Sequence, residues 1–150
     1  MKGLKERIIS KLQAKIEQSD GEAFMPVLRG NEIAFWLSPC GEGLEVEQLK
    51  NYVFTWDELA EIVLKANALG GKMYRGDALA QKQGSVLGRD IPYDCMEGFI
   101  AVEFLNAPDG VSVTRRSTYY SGILAWAGIV TIHRSQGKGS FITVNEEYRV

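Results

Sequence analysis

The chain has 150 residues, of which 45% are hydrophobic and 24% charged, and its formal net charge is −2. These values suit one ordinary globular domain and exclude a fibrous or disordered chain. They also speak against a wholesale polyanion binder, and no apolar run approaches the roughly twenty residues that span a bilayer.

Leu4, Ile8, Leu12 and Ile16 recur four apart within residues 2–18, with Lys, Glu and Arg between them. That spacing predicts an amphipathic helix, ended by Ser19-Asp20-Gly21. Its narrow stripe serves either the chain's own core or a homodimer seam through helix 2–18. The apolar runs 24–28 and 33–37 flank Arg29-Gly30-Asn31-Glu32, the pattern of a β-hairpin with a glycine-bearing turn. Residues 38–43 read as a loop, and 44–53 hold a short strand or helix. Thr55-Trp56-Asp57-Glu58 has the capping-box pattern, so a helix opens at Thr55 and stops at Gly70-Gly71. Asp57, Glu58 and Glu61 then lie in its first turns, where the helix dipole favours them.

The stretch 72–90 has no clear period, although Asp77–Lys82 can form a short helix. Its glycines match neither a P-loop nor a dinucleotide fingerprint. Lys72, Arg75, Lys82 and Arg89 give it the makings of a second backbone-contacting surface. Asp94 is expected to cap a helix from about Cys95 to Asn106, with Glu97 at the capping-box position. Ala107-Pro108-Asp109-Gly110 breaks it, and Val111–Val113 reads as extended. Thr114 is expected to cap a second helix, Arg115 to Ala127, closed by Gly128. On a helical wheel Tyr119, Tyr120, Ile123, Trp126 and Ala127 fall on one side, and Ser117, Thr118, Ser121, Gly122 and Ala125 on the other. Residues 129–133 and 140–144 form a second hairpin around the basic tip Arg134-Ser135-Gln136-Gly137-Lys138-Gly139.

Charge is unevenly spread. Residues 1–109 hold 12 Lys/Arg against 17 Asp/Glu, whereas 110–145 hold Arg115, Arg116, Arg134 and Lys138 with no acidic residue. Such asymmetry points to an interaction surface in the C-terminal third. Cys40, Cys95 and the single histidine, His133, are too scattered for a structural zinc site. No metal, no cofactor and no catalytic nucleophile–base pair is expected. The N-terminus enters a charged helical pattern with no apolar leader, so the expectation is a small soluble cytoplasmic protein with reduced thiols.

Helix 94–106, helix 115–127 and hairpin 129–144 together resemble the winged-helix family of nucleic-acid-binding domains. The chain is thus expected to be α+β: a winged-helix-like unit over 54–150, with a glycine-bearing insertion at about 70–92. Residues 1–53 would add a helix and a hairpin packed on it. The resemblance implies that helix 115–127 enters the major groove of duplex DNA. Its N-terminus, with Thr114, Arg115, Arg116, Ser117 and Thr118, would receive a phosphate. Small side chains at Ser121 and Ala125 would permit close approach, and Arg134, Gln136 and Lys138 would act as wing contacts. The alternative is a winged-helix-like protein-interaction or adaptor module without nucleic acid, since fold does not dictate function. An enzyme or enzyme accessory subunit is the weaker third reading.

Overall fold

In the computed structural model, which describes residues 3–26, 32–77, 85–113, 115–134 and 139–150, the apolar stripe of the first helix is used up inside the molecule. Helix α1 (Leu4–Gln18) buries Ile8, Leu12 and Ile16 and packs on α2 (Trp56–Ala68). A homodimer seam along that stripe is therefore corrected: those side chains already belong to the chain's own core, and Lys5 ties the pair by bridging Asp57 at 2.5 Å and Glu61 at 2.7 Å.

The first hairpin forms as the two apolar runs predict, from β1 (Glu22–Met25) and β2 (Ile33–Leu37). Arg29, Gly30 and Asn31 of its expected turn, with Val27 and Leu28 before them, lie outside the described residues. Strands β3 (Gly43–Val46) and β4 (Phe54–Thr55) complete a four-stranded antiparallel sheet in sequential order. A 3-10 turn over Glu47–Leu49 separates them.

Helix α2 begins where its capping box predicts. The Glu58 amide donates to Thr55 Oγ1 at 3.1 Å, and the Thr55 amide donates to Glu58 Oε1 at 3.3 Å. Replacing Thr55 with alanine removes the side-chain half of this pair, so urea unfolding should register a loss of about 1 kcal/mol. No measurable loss would mean that α2 does not depend on its cap. The helix ends where Gly70 takes φ +94° and the Gly71 amide donates back to Ala66 O at 2.8 Å, a Schellman closure that an L side chain resists.

Strand β5 (Lys72–Tyr74) was concealed in the unpatterned stretch. It pairs with β7 (Phe141–Val144), which pairs with β6 (Val130–His133), giving a second antiparallel sheet in the order β5-β7-β6. The short helix expected at 77–82 falls, past Asp77, outside the described residues.

Among the described residues, two helices with defined bounds lie between β5 and β6. The first, α3, is α-helical only over Met96–Phe99 and continues as a π turn over Ile100–Phe104. Its N-cap is Cys95, with no side-chain cap bond, so the capping box expected from Asp94 and Glu97 does not form. The second, α4, runs over Ser117–Trp126, with Arg116 at its N-cap and the expected cap Thr114 outside the described residues. Its close at Gly128 agrees with expectation: φ is +77° there, and the Ile129 amide reaches back to Leu124 O at 3.0 Å.

One hydrophobic core joins these layers. It runs from α1 and the first sheet (Met25, Phe35, Phe54) through α2 to α4 and the second sheet (Ile142, Val144). The chain is thus α+β with two antiparallel sheets. Among the described residues, no helix is long and apolar enough to cross a membrane.

Candidate nucleic-acid interface

Helix α4 has no open side. Its two expected faces are both covered: Tyr120 and Ile123 are fully buried, and so are Ser117 and Ser121 on the side made of small residues. A Cβ added to Gly122 would stand 2.3 Å from Met25 Sδ, because β1 lies directly against that side. The helix is apolar nearly all round, which is the composition of an enclosed helix. Close approach to a DNA groove along Ser121 and Ala125 is therefore corrected. The Ser121 hydroxyl donates inward to Ser117 O at 2.6 Å, and Ala125 packs against the core.

The start of α4 differs from expectation in a second way. Glu97, fully buried, projects from α3 to cap α4. Its carboxylate accepts from the Arg116 amide at 2.9 Å, from the Ser117 amide at 3.0 Å and from the Ser117 hydroxyl at 2.7 Å. An internal anion thus takes the amides and the dipole end that a phosphate would have used. Burial pushes the Glu97 carboxyl above the ordinary carboxylate range, against the pull of these hydrogen bonds.

The predicted contact residues separate accordingly. Arg115 is exposed, and its Nη2 donates to Thr118 Oγ1 at 3.2 Å. Arg116 turns the other way, with its guanidinium carbon 4.5 Å from the Tyr52 ring centroid. Its Nε and Nη1 are buried with no hydrogen-bond partner among the described residues, so it covers apolar surface and is corrected as a contact. Thr118 is half-buried, Arg134 is exposed at the end of β6, and Thr114, Gln136 and Lys138 lie outside the described residues.

What joins the start of α4 to the hairpin is Arg75, only 4% exposed. Its Nη2 donates to Thr118 Oγ1 at 3.1 Å and its Nη1 to Ser140 Oγ at 3.1 Å, with Asp77 Oδ2 at 3.9 Å. Ser140 in turn donates to Asp77 Oδ1 at 2.9 Å. Burial holds the Arg75 guanidinium below its ordinary value, opposed chiefly by Asp77. Arg75 is therefore a structural tie and not the solvent-facing cation its loop position implied. Lys72 is exposed on β5, Arg89 pairs with its neighbour Asp90 at 3.0 Å, and Lys82 lies outside the described residues.

No family model, curated protein or solved structure significantly matches this chain.

Two surface hollows remain to be weighed by charge. One, of about 380 Å³, is lined by Thr55, Asp57, Glu58, Glu61, Phe99, Glu103 and Phe104. Four carboxylates repel a polyanion, and those of α2 are already engaged in the capping box and the Lys5 bridges. Glu58 also accepts from the Tyr120 hydroxyl at 3.1 Å, and burial pushes its carboxyl up. The other hollow, of about 360 Å³, lies on the β5-β7-β6 sheet and is lined by Lys72, Tyr74, His133, Arg134 and Phe141. Of the two, only this one has the sign of charge that attracts phosphate.

Sequence reasoning gave Glu97 and Arg75 other roles than the ones they have. Glu97 stands three residues after Asp94 and so mimics a local cap, while Arg75 sits in a stretch without periodicity. Neither position carries a local signal of its long-range partners.

Proposed function

We propose that this chain contacts nucleic acid through the phosphate backbone, at the edge where the start of α4 meets the base of the β6–β7 hairpin. The observation that carries this reading is the hydrogen-bonded run Arg115–Thr118–Arg75–Ser140, which fastens the exposed cation at the helix start to the hairpin's return strand. Arg134 is exposed at the end of β6, the other strand of that hairpin, and is taken as the second phosphate contact of this reading. The element order α2, β5, α3, α4, β6, β7 and the sheet order β5-β7-β6 support a winged-helix-like arrangement. In this version the helix does not enter a groove, because α4 is enclosed. Phosphate contacts carry no sequence information of their own, so binding is expected to discriminate weakly among DNA sequences. The protein is read as cytoplasmic, in keeping with its two free thiols, Cys40 and Cys95.

Gel-shift titrations of duplex DNA over a series of salt concentrations test this. Binding should weaken steeply with salt, and Arg115→Ala and Arg134→Ala should each reduce the log–log slope by about one. No binding at low salt, or a slope that neither substitution changes, would overturn the proposal.

A further inference from the structure

The outward side of the second sheet is unusual for a surface that only meets water. Alternation turns Met73, Ile142 and Val130 into the core, leaving Lys72, Tyr74, His133, Phe141 and Thr143 on the opposite side. Register then lines up three rings across three strands, since His133 and Tyr74 both pair with Phe141. His133 stacks on Phe141 with centroids 4.7 Å apart and planes 11° from parallel. Its Nε2 lies 2.8 Å from Thr143 Oγ1, which fixes the ring. Tyr74 meets Phe141 edge to face at 5.7 Å. The Lys72 ammonium rests 4.2 Å from the Phe141 centroid and 5.0 Å from that of Tyr74. Arg134 completes the rim, and among the described residues no carboxylate lines the hollow.

We propose that this surface is a base-stacking site for single-stranded nucleic acid, in which rings on the sheet receive a nucleobase and Lys72 and Arg134 receive its phosphates. Charge and shape select this occupant together. An acidic peptide would use the cations and leave the rings idle, and duplex DNA keeps its base faces stacked away from a protein surface. A single strand presents both flat faces and phosphates, and stacking on aromatic side chains tolerates any base. The hollow, about 360 Å³, is within the range of roughly 300–1,000 Å³ typical of small-ligand sites. Without a ligand the Lys72 ammonium covers the Phe141 ring. An arriving base displaces it on its flexible four-carbon stem, which frees the charge for the neighbouring phosphate. The inference rests on the reading above in that the partner is a nucleic acid, and it shares Arg134 with that reading while its rings and Lys72 are distinct from it.

The test compares a labelled short oligothymidylate with a duplex hairpin by fluorescence anisotropy, at low salt and across a salt series. Tyr74→Leu and Phe141→Leu keep apolar volume on the strands and remove the rings. Each should weaken oligothymidylate binding by about tenfold and leave duplex binding unchanged. Lys72→Gln, at an exposed position where folding is not at stake, should reduce the single-strand salt slope by about 0.7. Thermal melts matched to wild type establish that the variants fold. Duplex binding without oligothymidylate binding would sink this proposal and leave the duplex reading standing, whereas binding of neither probe would sink both. Unchanged oligothymidylate affinity in folded ring variants would also overturn it. So would a loss produced by Arg115→Ala alone, or competition by polyglutamate as effective as that by oligothymidylate.

Discussion

Replacing Glu97 with alanine is expected to lower the free energy of unfolding by about 3–5 kcal/mol, the range seen when one partner of a buried charged arrangement is removed. The physical reason is what the substitution leaves behind. Two backbone amides and one hydroxyl at the start of α4 lose their shared acceptor inside the protein, where water does not replace it. The nearby buried Arg75 also loses a favourable negative charge. Urea denaturation followed by circular dichroism measures the effect, and a loss below about 1 kcal/mol would refute the assigned role. Glu97→Gln should cost less, because Oε2 alone takes both contacts from Ser117 and one amide oxygen can fill its position.

The pH dependence of that second variant has a definite sign. Burial raises the native pKa of Glu97 above its unfolded value of 4.5, so over that interval the native state binds more protons than the unfolded state. Its contribution to stability is full below pH 4.5 and declines as pH rises through the raised native value. Glutamine does not titrate, so the gap between wild type and Glu97→Gln should narrow as pH rises from 4.5. Glu58, whose pKa is also raised, is present in both proteins and cancels. A gap that widens with pH would contradict burial as the dominant cause.

The second large effect concerns residues 1–53. Phe35 is fully buried and meets Trp126 of α4 edge to face at 4.9 Å. Phe35→Ala should therefore destabilise the whole chain by about 3–5 kcal/mol in one cooperative transition. By the same logic residues 54–150 should not fold alone. Their side of the core would lose Ile8, Leu12, Ile16, Met25, Phe35, Leu44 and Val46, all members of the same cluster. The proposed division at residue 53 would then mark a change in architecture and not an autonomous winged-helix-like domain. Near-UV circular dichroism of the 54–150 fragment decides this: a sharp melt with native-like aromatic signals would show that it folds alone and refute the prediction.

The elements most legible in the sequence are those whose signals are local. The four-residue spacing of α1, the Thr55–Glu58 box of α2, the Gly70 and Gly128 closures and the two hairpins all express contacts between residues close in the chain. Strand β5 was hidden because three residues are too few for alternation to register, and its partner β7 lies almost seventy positions away. The candidate edge was read in part. Arg115 and Arg134 are exposed, as expected of cations flanking a helix start and a hairpin tip. The side-chain composition of α4 admitted two readings: small residues on one side of a helix serve either a nucleic-acid groove or a tightly packed strand. Periodicity cannot separate them, since both require the same absence of bulk. Met25 against Gly122 decided for the strand.

The sequence by itself determined where most of the longer segments would be helical or extended and where basic charge would gather, because those properties follow from neighbours within a few residues. Only the tertiary structure decided which anion caps α4, which arginine is buried and which rings share a sheet surface. Those outcomes depend on pairs such as Glu97 with Ser117, Arg75 with Ser140 and Tyr74 with Phe141. The members of each pair lie from twenty to nearly seventy residues apart, and burial acts on them only after the chain has closed around them.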